Sequence, residues 1–161
     1  MATRCGGGTR HQAQRGVVAV EFALVFLFGV LPLLLLTLSG VLIFAAKQSL
    51  ALAAANGARA ALRYGSDGSL AGREAAACTT AAQSMNWLLS FSGASQACPT
   101  PLIAVTAVPC PSAASVQCVQ VTTTFDYDAH PFIPGTATVY GWVLGKDLSS
   151  TALVQLDTTG D

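Results

Sequence analysis

Charged side chains are scarce in this sequence. Its 161 residues include only eight basic and eight acidic side chains, and the formal net charge is zero. Residues 1–16 contain three of the basic side chains, so the remainder of the chain is mildly acidic. Because domains that bind nucleic acid carry a basic patch, we do not expect nucleic acid as a partner.

Residues that commonly perform catalysis are also few. The chain has two histidines, and no nucleophile motif or glycine-rich phosphate loop accompanies them. Asp126, Asp128 and His130 alternate at the end of a predicted strand and are the nearest approach to a metal or hydrolytic site. No second histidine lies near them, so they do not predict a catalytic centre. We expect no enzymatic activity, no bound metal and no cofactor; an enzyme would need activity that depends on these three residues.

Charge is absent from residues 22–46. At about 1.5 Å per residue a helix of this length spans roughly 37 Å, more than the ~30 Å hydrocarbon thickness of a bilayer. The run is too long for the ~7–15-residue apolar region of a secretory signal, and no clean small-residue cleavage site follows it. The sequence therefore predicts a retained transmembrane helix over residues 17–46, with a mild kink at Pro32.

The orientation of this helix is not set by charge alone. Three basic residues lie on each side of it: Arg4, Arg10 and Arg15 before it, and Lys47, Arg59 and Arg63 after it. The short, acid-free leader of residues 1–16 and the cysteines downstream favour a cytoplasmic N-terminus. Residues 47–161 are then the extracytoplasmic domain of a single-pass protein of the cytoplasmic (inner) membrane.

Four of the five cysteines follow the membrane helix, and Cys5 lies in the leader. An even number of cysteines in an oxidising compartment can pair. Three pairings are possible, and sequence order favours Cys78–Cys98 and Cys110–Cys118. Buried unpaired thiols are the alternative. A zinc site is disfavoured because no cysteine pair has the usual spacing of about two to four residues.

The remaining pattern predicts an α+β fold. Residues 47–64 are alanine-rich and extend the membrane helix outward, and the turn at residues 66–69 can cap a second helix. The apolar stripe of that helix is Ala71, Ala75, Cys78, Ala82, Met85 and Leu89. Residues 91–101 contain glycine and prolines and are predicted as a loop.

Three segments in the last third of the chain have the character of strands. Residues 119–127 alternate most clearly, residues 102–108 are apolar and β-rich, and residues 152–156 alternate again. We expect a small antiparallel sheet of about three strands, with the Cys110–Cys118 pair closing a hairpin near its tip and prolines 131 and 134 ending the middle strand. Four aromatic residues are expected in the core or at an interface rather than in a ligand cage: Trp87, Tyr127, Tyr140 and Trp142.

Glu21 is the only charged residue between Arg15 and Lys47. A carboxylate in a membrane helix is costly and usually has a partner and a function. A charge that snorkels to the headgroups without a partner is the alternative.

The residues around Glu21 resemble a known signal. A basic leader that ends in glycine is followed by Gly16-Val17-Val18-Ala19-Val20-Glu21-Phe22, and this string is similar to the type IV prepilin signal of the TadE-like family of pseudopilins. The alanine-rich residues 53–61, which contain Gly-Ala-Arg, and the strand at residues 119–127 followed by prolines are also similar to that family. Phe22 is followed by Ala23 instead of the second aromatic residue of common pilins, as is frequent in this family.

The resemblance implies a function in pilus assembly. A membrane prepilin peptidase would cut after Gly16, so that Val17 becomes the N-terminus and the mature protein stays in the membrane. It would then join other pilins or pseudopilins and the assembly platform of a tight-adherence (Flp-type) pilus. The motif does not separate a minor pilin from an assembly factor.

The motif also has a physical interpretation. Cleavage creates an ammonium on Val17, and Glu21 of the same or a neighbouring chain can pair with it in a helix bundle. Glu21 and Phe22 are therefore predicted to set the register of assembly. The alternative is a single-pass membrane protein that remains uncleaved and whose extracytoplasmic domain binds a partner.

Overall fold

The computed structural model describes residues 11–63, 69–111, 113–144 and 147–156. Residues 1–10, with Cys5, and the predicted turn residues 66–68 lie outside this part. The elements in chain order are α1 (His11–Val25), a π-helical segment (Phe26–Val30), α2 (Leu31–Arg63), α3 (Leu70–Ser84), α4 (Asn86–Ser92), β1 (Ile103–Cys110), β2 (Ala113–Asp126), α5 (Ala137–Leu144) and β3 (Asp147–Gln155). The predicted α+β class, with a long apolar N-terminal helix and a three-stranded antiparallel sheet, is confirmed.

One helical stretch in the described residues, Gly16–Arg63, is long and apolar enough to cross a membrane. The lack of charge in residues 22–46 explains this property, because a spanning helix needs about 20 mainly apolar residues. Helix α1 begins at His11, so the last part of the predicted leader is already helical.

The helix is irregular just before Pro32. Proline has no backbone N–H, and its ring clashes with the carbonyl group four residues earlier, which is that of Phe28. The backbone is π-helical over Phe26–Val30, and the Leu31 N–H donates to the Phe26 carbonyl oxygen five residues back. The perturbation predicted at Pro32 therefore lies in the preceding turn, as a π-helical segment of the kind that often interrupts α-helices.

The chain forms two compact units, which we call the N-terminal unit (Met1–Gly40) and the C-terminal unit (Val41–Asp161). The second unit begins at Val41, within the predicted membrane segment. Its core includes Ile43 and Leu50 of α2 together with several alanines of the same helix, namely Ala46, Ala53, Ala58 and Ala61.

Helix α3 packs antiparallel to α2 within the C-terminal unit. Arg73 Nη1 donates to the Ala61 carbonyl oxygen at 3.1 Å, and Asn56 Nδ2 donates to Ser84 Oγ at 3.1 Å. The two helices are in close contact at Gly57, where an added Cβ would lie 2.9 Å from the Ala77 carbonyl oxygen. The absence of a side chain at Gly57 therefore permits this packing.

The second predicted helix differs from expectation in two respects. The predicted buried stripe is wrong at Ala71 and Ala75, which are exposed. Cys78 and Ala82 are buried as predicted, and Ala77 and Ala81 are buried as well. Alanine is abundant on every face of this helix, so its spacing carries little information. The helix also breaks at Met85 and resumes as α4, which includes the first two residues of the predicted loop and ends at left-handed Gly93. Ser69 caps α3, as predicted for that turn, by accepting from the Gly72 N–H at 3.1 Å.

The sheet has the order β1-β2-β3, with both pairs antiparallel. Val121 of β2 lies between Val105 and Ala152, and Thr123 lies between Ile103 and Ser150. The alternation predicted for the middle strand is confirmed, since Val119, Val121, Thr123 and Phe125 are buried. Strand β3 begins at Asp147, five residues earlier than predicted, because it pairs with β2 from Asp126 onward.

Candidate functional site

The predicted processing residues share one exposed face of α1. Gly16, Val17, Val20, Glu21 and Leu24 line a shallow, open groove of about 510 Å³. Their spacing of one, four, five and eight residues places them on one side of a helix with 3.6 residues per turn. The structure therefore brings Gly16, Val17 and Glu21 together.

The Gly16–Val17 peptide bond lies inside α1 and not at its start. Among the described residues, no atom beyond the two chain neighbours and the local helix backbone lies within 4 Å of a Cβ built on Gly16, so this side of the helix is open there. Glycine lowers helix stability by about 1 kcal/mol relative to alanine. Gly16 therefore lowers the helix propensity of α1 at the residue where processing is predicted.

Glu21 and Phe22 occupy different faces of α1, although the sequence analysis assigned both to assembly register. Phe22 is exposed and stacks on Phe26, with ring centroids 6.4 Å apart. Glu21 lies with Val17, one turn earlier. A helical side chain leans toward the N-terminus, so the Glu21 carboxylate is directed toward the end that processing would create.

The four cysteines of the C-terminal unit form the two favoured disulfides. Cys78–Cys98 connects α3 to the segment before β1, with Cα atoms 6.0 Å apart. Cys110–Cys118 joins β1 to β2, with Cα atoms 5.1 Å apart. A register shift at Pro109 and Cys110 accompanies the second disulfide. Both bonds lie within Val41–Asp161, where they hold the small core together.

Asp126 is the last residue of β2, and Asp128 and His130 lie in the turn that follows it. Asp126 Oδ1 accepts the Ala129 N–H at 2.9 Å, and the His130 N–H donates to the Asp126 carbonyl oxygen at 3.2 Å. Asp126 thus stabilises the turn that follows β2. Within the described residues, no group of three His, Cys, Asp or Glu side chains is arranged to hold a metal ion.

Two features of the C-terminal unit were missed by sequence reasoning. Thr123 is fully buried, and its hydroxyl donates to the Leu50 carbonyl oxygen at 3.0 Å, which ties β2 to α2. Helix α5 was not predicted, and it carries the almost fully exposed Trp142. The alternation predicted for β2 already placed Thr123 on its buried face, but no sequence signal indicated the bond to Leu50, and helix propensity gave no signal for α5.

No family model, curated protein or solved structure matches this chain.

Proposed function

We propose that this protein is a TadE-like minor pseudopilin. It is made as a prepilin, cleaved after Gly16, and takes part in assembly of a tight-adherence (Flp-type) pilus. The observation that carries the proposal is the exposed face of α1, on which Gly16, Val17 and Glu21 lie together at the start of a helix of membrane-spanning length.

The local backbone is suited to processing. A peptidase must reach the scissile carbonyl group, and the surroundings of Gly16 are open. The helix must also unwind locally, and glycine makes this easier because it favours helix less than any residue except proline. Gly16 therefore serves both the access and the local opening that cleavage requires.

Cleavage changes the electrostatic setting of Glu21. Before cleavage, Glu21 is a carboxylate ten residues inside α1. Afterwards it lies one turn from a new ammonium and from the positive end of the helix dipole, both of which favour a carboxylate. In a bundle of such helices, a neighbour's ammonium can take the same position, and a wrong register leaves a buried charge unpaired.

The C-terminal unit supports the proposed orientation. Its two disulfides are typical of proteins exposed to an oxidising compartment. The unit follows the membrane-length helix, so an extracytoplasmic C-terminus is consistent with a cytoplasmic N-terminus. The prepilin peptidase would then meet residues 1–16 on the cytoplasmic side.

Processing is tested by co-expressing the full chain with a prepilin peptidase and sequencing the N-terminus of the product. A mature chain that starts at Val17 is the expected result. An inactive peptidase variant is the control and should leave Met1 in place. Recovery of the intact chain with the active peptidase would contradict the proposal and favour an uncleaved single-pass protein with a partner-binding domain.

Assembly is tested separately with Glu21→Ala. We expect cleavage to be retained and incorporation into the pilus assembly to fall, because the new ammonium loses its partner. Glu74→Ala is the matched control, since Glu74 lies on α3 in the C-terminal unit. Normal incorporation of Glu21→Ala would show that the carboxylate does not set register.

A further inference from the structure

An aromatic cluster lies at one end of the C-terminal unit. Phe132 is its centre, with ring centroids 5.8 Å from Trp87, 5.0 Å from Phe91, 5.7 Å from Phe125 and 5.6 Å from Tyr127. Tyr127 in turn contacts Tyr140 of α5 edge to face at 6.5 Å. The cluster therefore joins α4, the end of β2 and α5.

Helices α3 and α4 place this cluster near the start of the C-terminal unit. As α3 proceeds, its hydrogen bonds to α2 lie progressively closer to the start of α2. Arg73 bonds to Ala61, and Ser84, eleven residues later, bonds to Asn56. At the next step, Trp87 Nε1 donates to Ser49 Oγ at 3.0 Å. Ser49 is only two residues after Lys47, or about 3 Å along the helix axis. Trp87 therefore lies at the level of the first charge after the apolar run.

Strand β2 leads to the same end. Val121 lies near Gly57, and two residues later Thr123 bonds to the Leu50 carbonyl oxygen. An extended chain advances by about 13 Å from Thr123 to Tyr127. This is more than the ~4.5 Å that separates Leu50 from Lys47 along α2. The end of β2 and the turn after it thus reach the level of Lys47. Helix α5 covers this turn, since a Cβ on Gly141 would lie 3.4 Å from Asp128 Oδ1.

Four large apolar side chains at this end are exposed, and we call them the aromatic rim: Trp87 (42% exposed), Phe91 (47%), Val139 (50%) and Trp142 (94%). A tryptophan with almost its whole surface exposed is costly in water, where each buried apolar Å² is worth about 25 cal/mol. Trp142 therefore favours an environment other than bulk water.

We propose that the aromatic rim lies in the headgroup layer of the bilayer from which α2 emerges, with Trp142 as its main anchor. The hydrocarbon core ends near Lys47, and the polar layer beyond it is roughly 5–8 Å thick. Tryptophan is enriched at this depth because its ring is apolar and its N–H is polar. The inference rests on the membrane-spanning helix and not on cleavage after Gly16.

The charge at this end indicates which lipids are compatible. Asp126 and Asp128 are exposed in the turn beneath α5. Carboxylates are repelled by anionic headgroups within about a Debye length of 8–10 Å. Zwitterionic headgroups therefore fit the rim better, and phosphatidylcholine is a suitable probe.

The test uses the full chain in phosphatidylcholine vesicles that contain a lipid with a nitroxide on its headgroup. Trp87→Phe leaves Trp142 as the only tryptophan. We expect the headgroup nitroxide to quench Trp142 emission by about half or more and aqueous iodide to quench it only weakly, as for an interfacial tryptophan. The same result is expected for the precursor and for a chain that starts at Val17.

The control is Leu62→Trp in a chain that carries Trp87→Phe and Trp142→Phe. Leu62 is partly exposed on α2, about 22 Å beyond Lys47 along the helix, so iodide should quench this tryptophan and the lipid nitroxide should not. The proposal would be overturned if iodide quenched Trp142 and the lipid nitroxide did not, as expected for this control. Shielding of Trp142 from both quenchers would also overturn it, because a protein partner would then cover the rim. If Trp87→Phe does not fold, the difference in quenching between wild type and Trp142→Phe reports on Trp142.

Discussion

Up to Gly40 the long helical stretch carries large apolar side chains that are exposed, whereas from Val41 onward it carries many alanines that are buried. Phe22, Leu33 and Leu38 are examples of the first kind, and Ala46, Ala53 and Ala61 of the second. Most of the large apolar side chains of the first part are exposed from Val17 to Leu38. The second part is covered by α3, α4 and the sheet.

The difference shows how one helix can be suited to two surroundings. Lipid accepts leucine and phenylalanine without any packing partner, so size is favourable there. Within the C-terminal unit, small residues allow neighbouring backbones to approach, as at Gly57. Small residues on the covered face therefore distinguish the second part of the helix from the first. Like residues in the two units can be compared by urea unfolding of the full chain in detergent, followed by tryptophan fluorescence.

The largest effect is expected from leucines on α2. Leu50 is fully buried, and Leu33 is 66% exposed. Leu50→Ala should lower the free energy of unfolding of the C-terminal unit by about 4 kcal/mol, because it removes core contacts and leaves a cavity. Leu33→Ala should change it by less than about 0.5 kcal/mol. Equal losses in the two variants would refute the contrast between the units.

The next effect concerns the disulfide between α3 and the segment before β1. Replacing both Cys78 and Cys98 by alanine releases a loop of 20 residues. The unfolding free energy should fall by about 3 kcal/mol, mainly because the unfolded chain gains freedom. Cys5→Ala is the control and should have no effect on this unit. Thiol labelling of Cys78 or Cys98 in the oxidised native protein would show that the bond is not formed.

Much of this architecture was predictable from the sequence, for physical reasons. The absence of charge over residues 22–46 indicated the membrane-length helix, and alternating β-branched residues indicated β2. Helix α5 was not predictable from propensity, because Ala-Thr-Val-Tyr-Gly-Trp-Val-Leu is rich in β-branched and aromatic residues and contains a glycine. Its helical form depends on tertiary contacts such as that of Tyr140 with Tyr127.

The candidate site shows the same division. The spacing of Gly16, Val17 and Glu21 was sufficient to place them on one helical face. Phe22 lies about 140° around the helix from Val17, whereas Glu21 lies about 40° from it, so Phe22 does not share the face that Val17 and Glu21 form. The packing role of Gly57 required a structure, because the sequence does not show which residue lies opposite it.

Glycines provide the third comparison. Gly57→Val should lower the unfolding free energy by about 2 kcal/mol, because its side chain would overlap the Ala77 carbonyl group and force the helices apart. A Cβ added to Gly29 would meet open space. Gly29→Val should therefore leave the stability of the C-terminal unit within about 0.5 kcal/mol of wild type. If Gly57→Val were as stable as wild type, α2 and α3 would not be in close contact at this point.

Two threonines give the smallest and most specific test. Thr37 Oγ1 donates to the Leu34 carbonyl oxygen at 2.8 Å in the exposed helix, and Thr123 Oγ1 donates to that of Leu50 at 3.0 Å in the core. Thr123→Val should lower the unfolding free energy by about 1 kcal/mol, since the Leu50 carbonyl group loses this hydroxyl donor in a place that water does not reach. Thr37→Val keeps the shape and loses the same kind of bond, yet it should have no measurable effect on the C-terminal unit. A stabilising Thr123→Val would mean that the gain from valine in a buried strand exceeds the loss of the bond, and that packing alone holds β2 against α2.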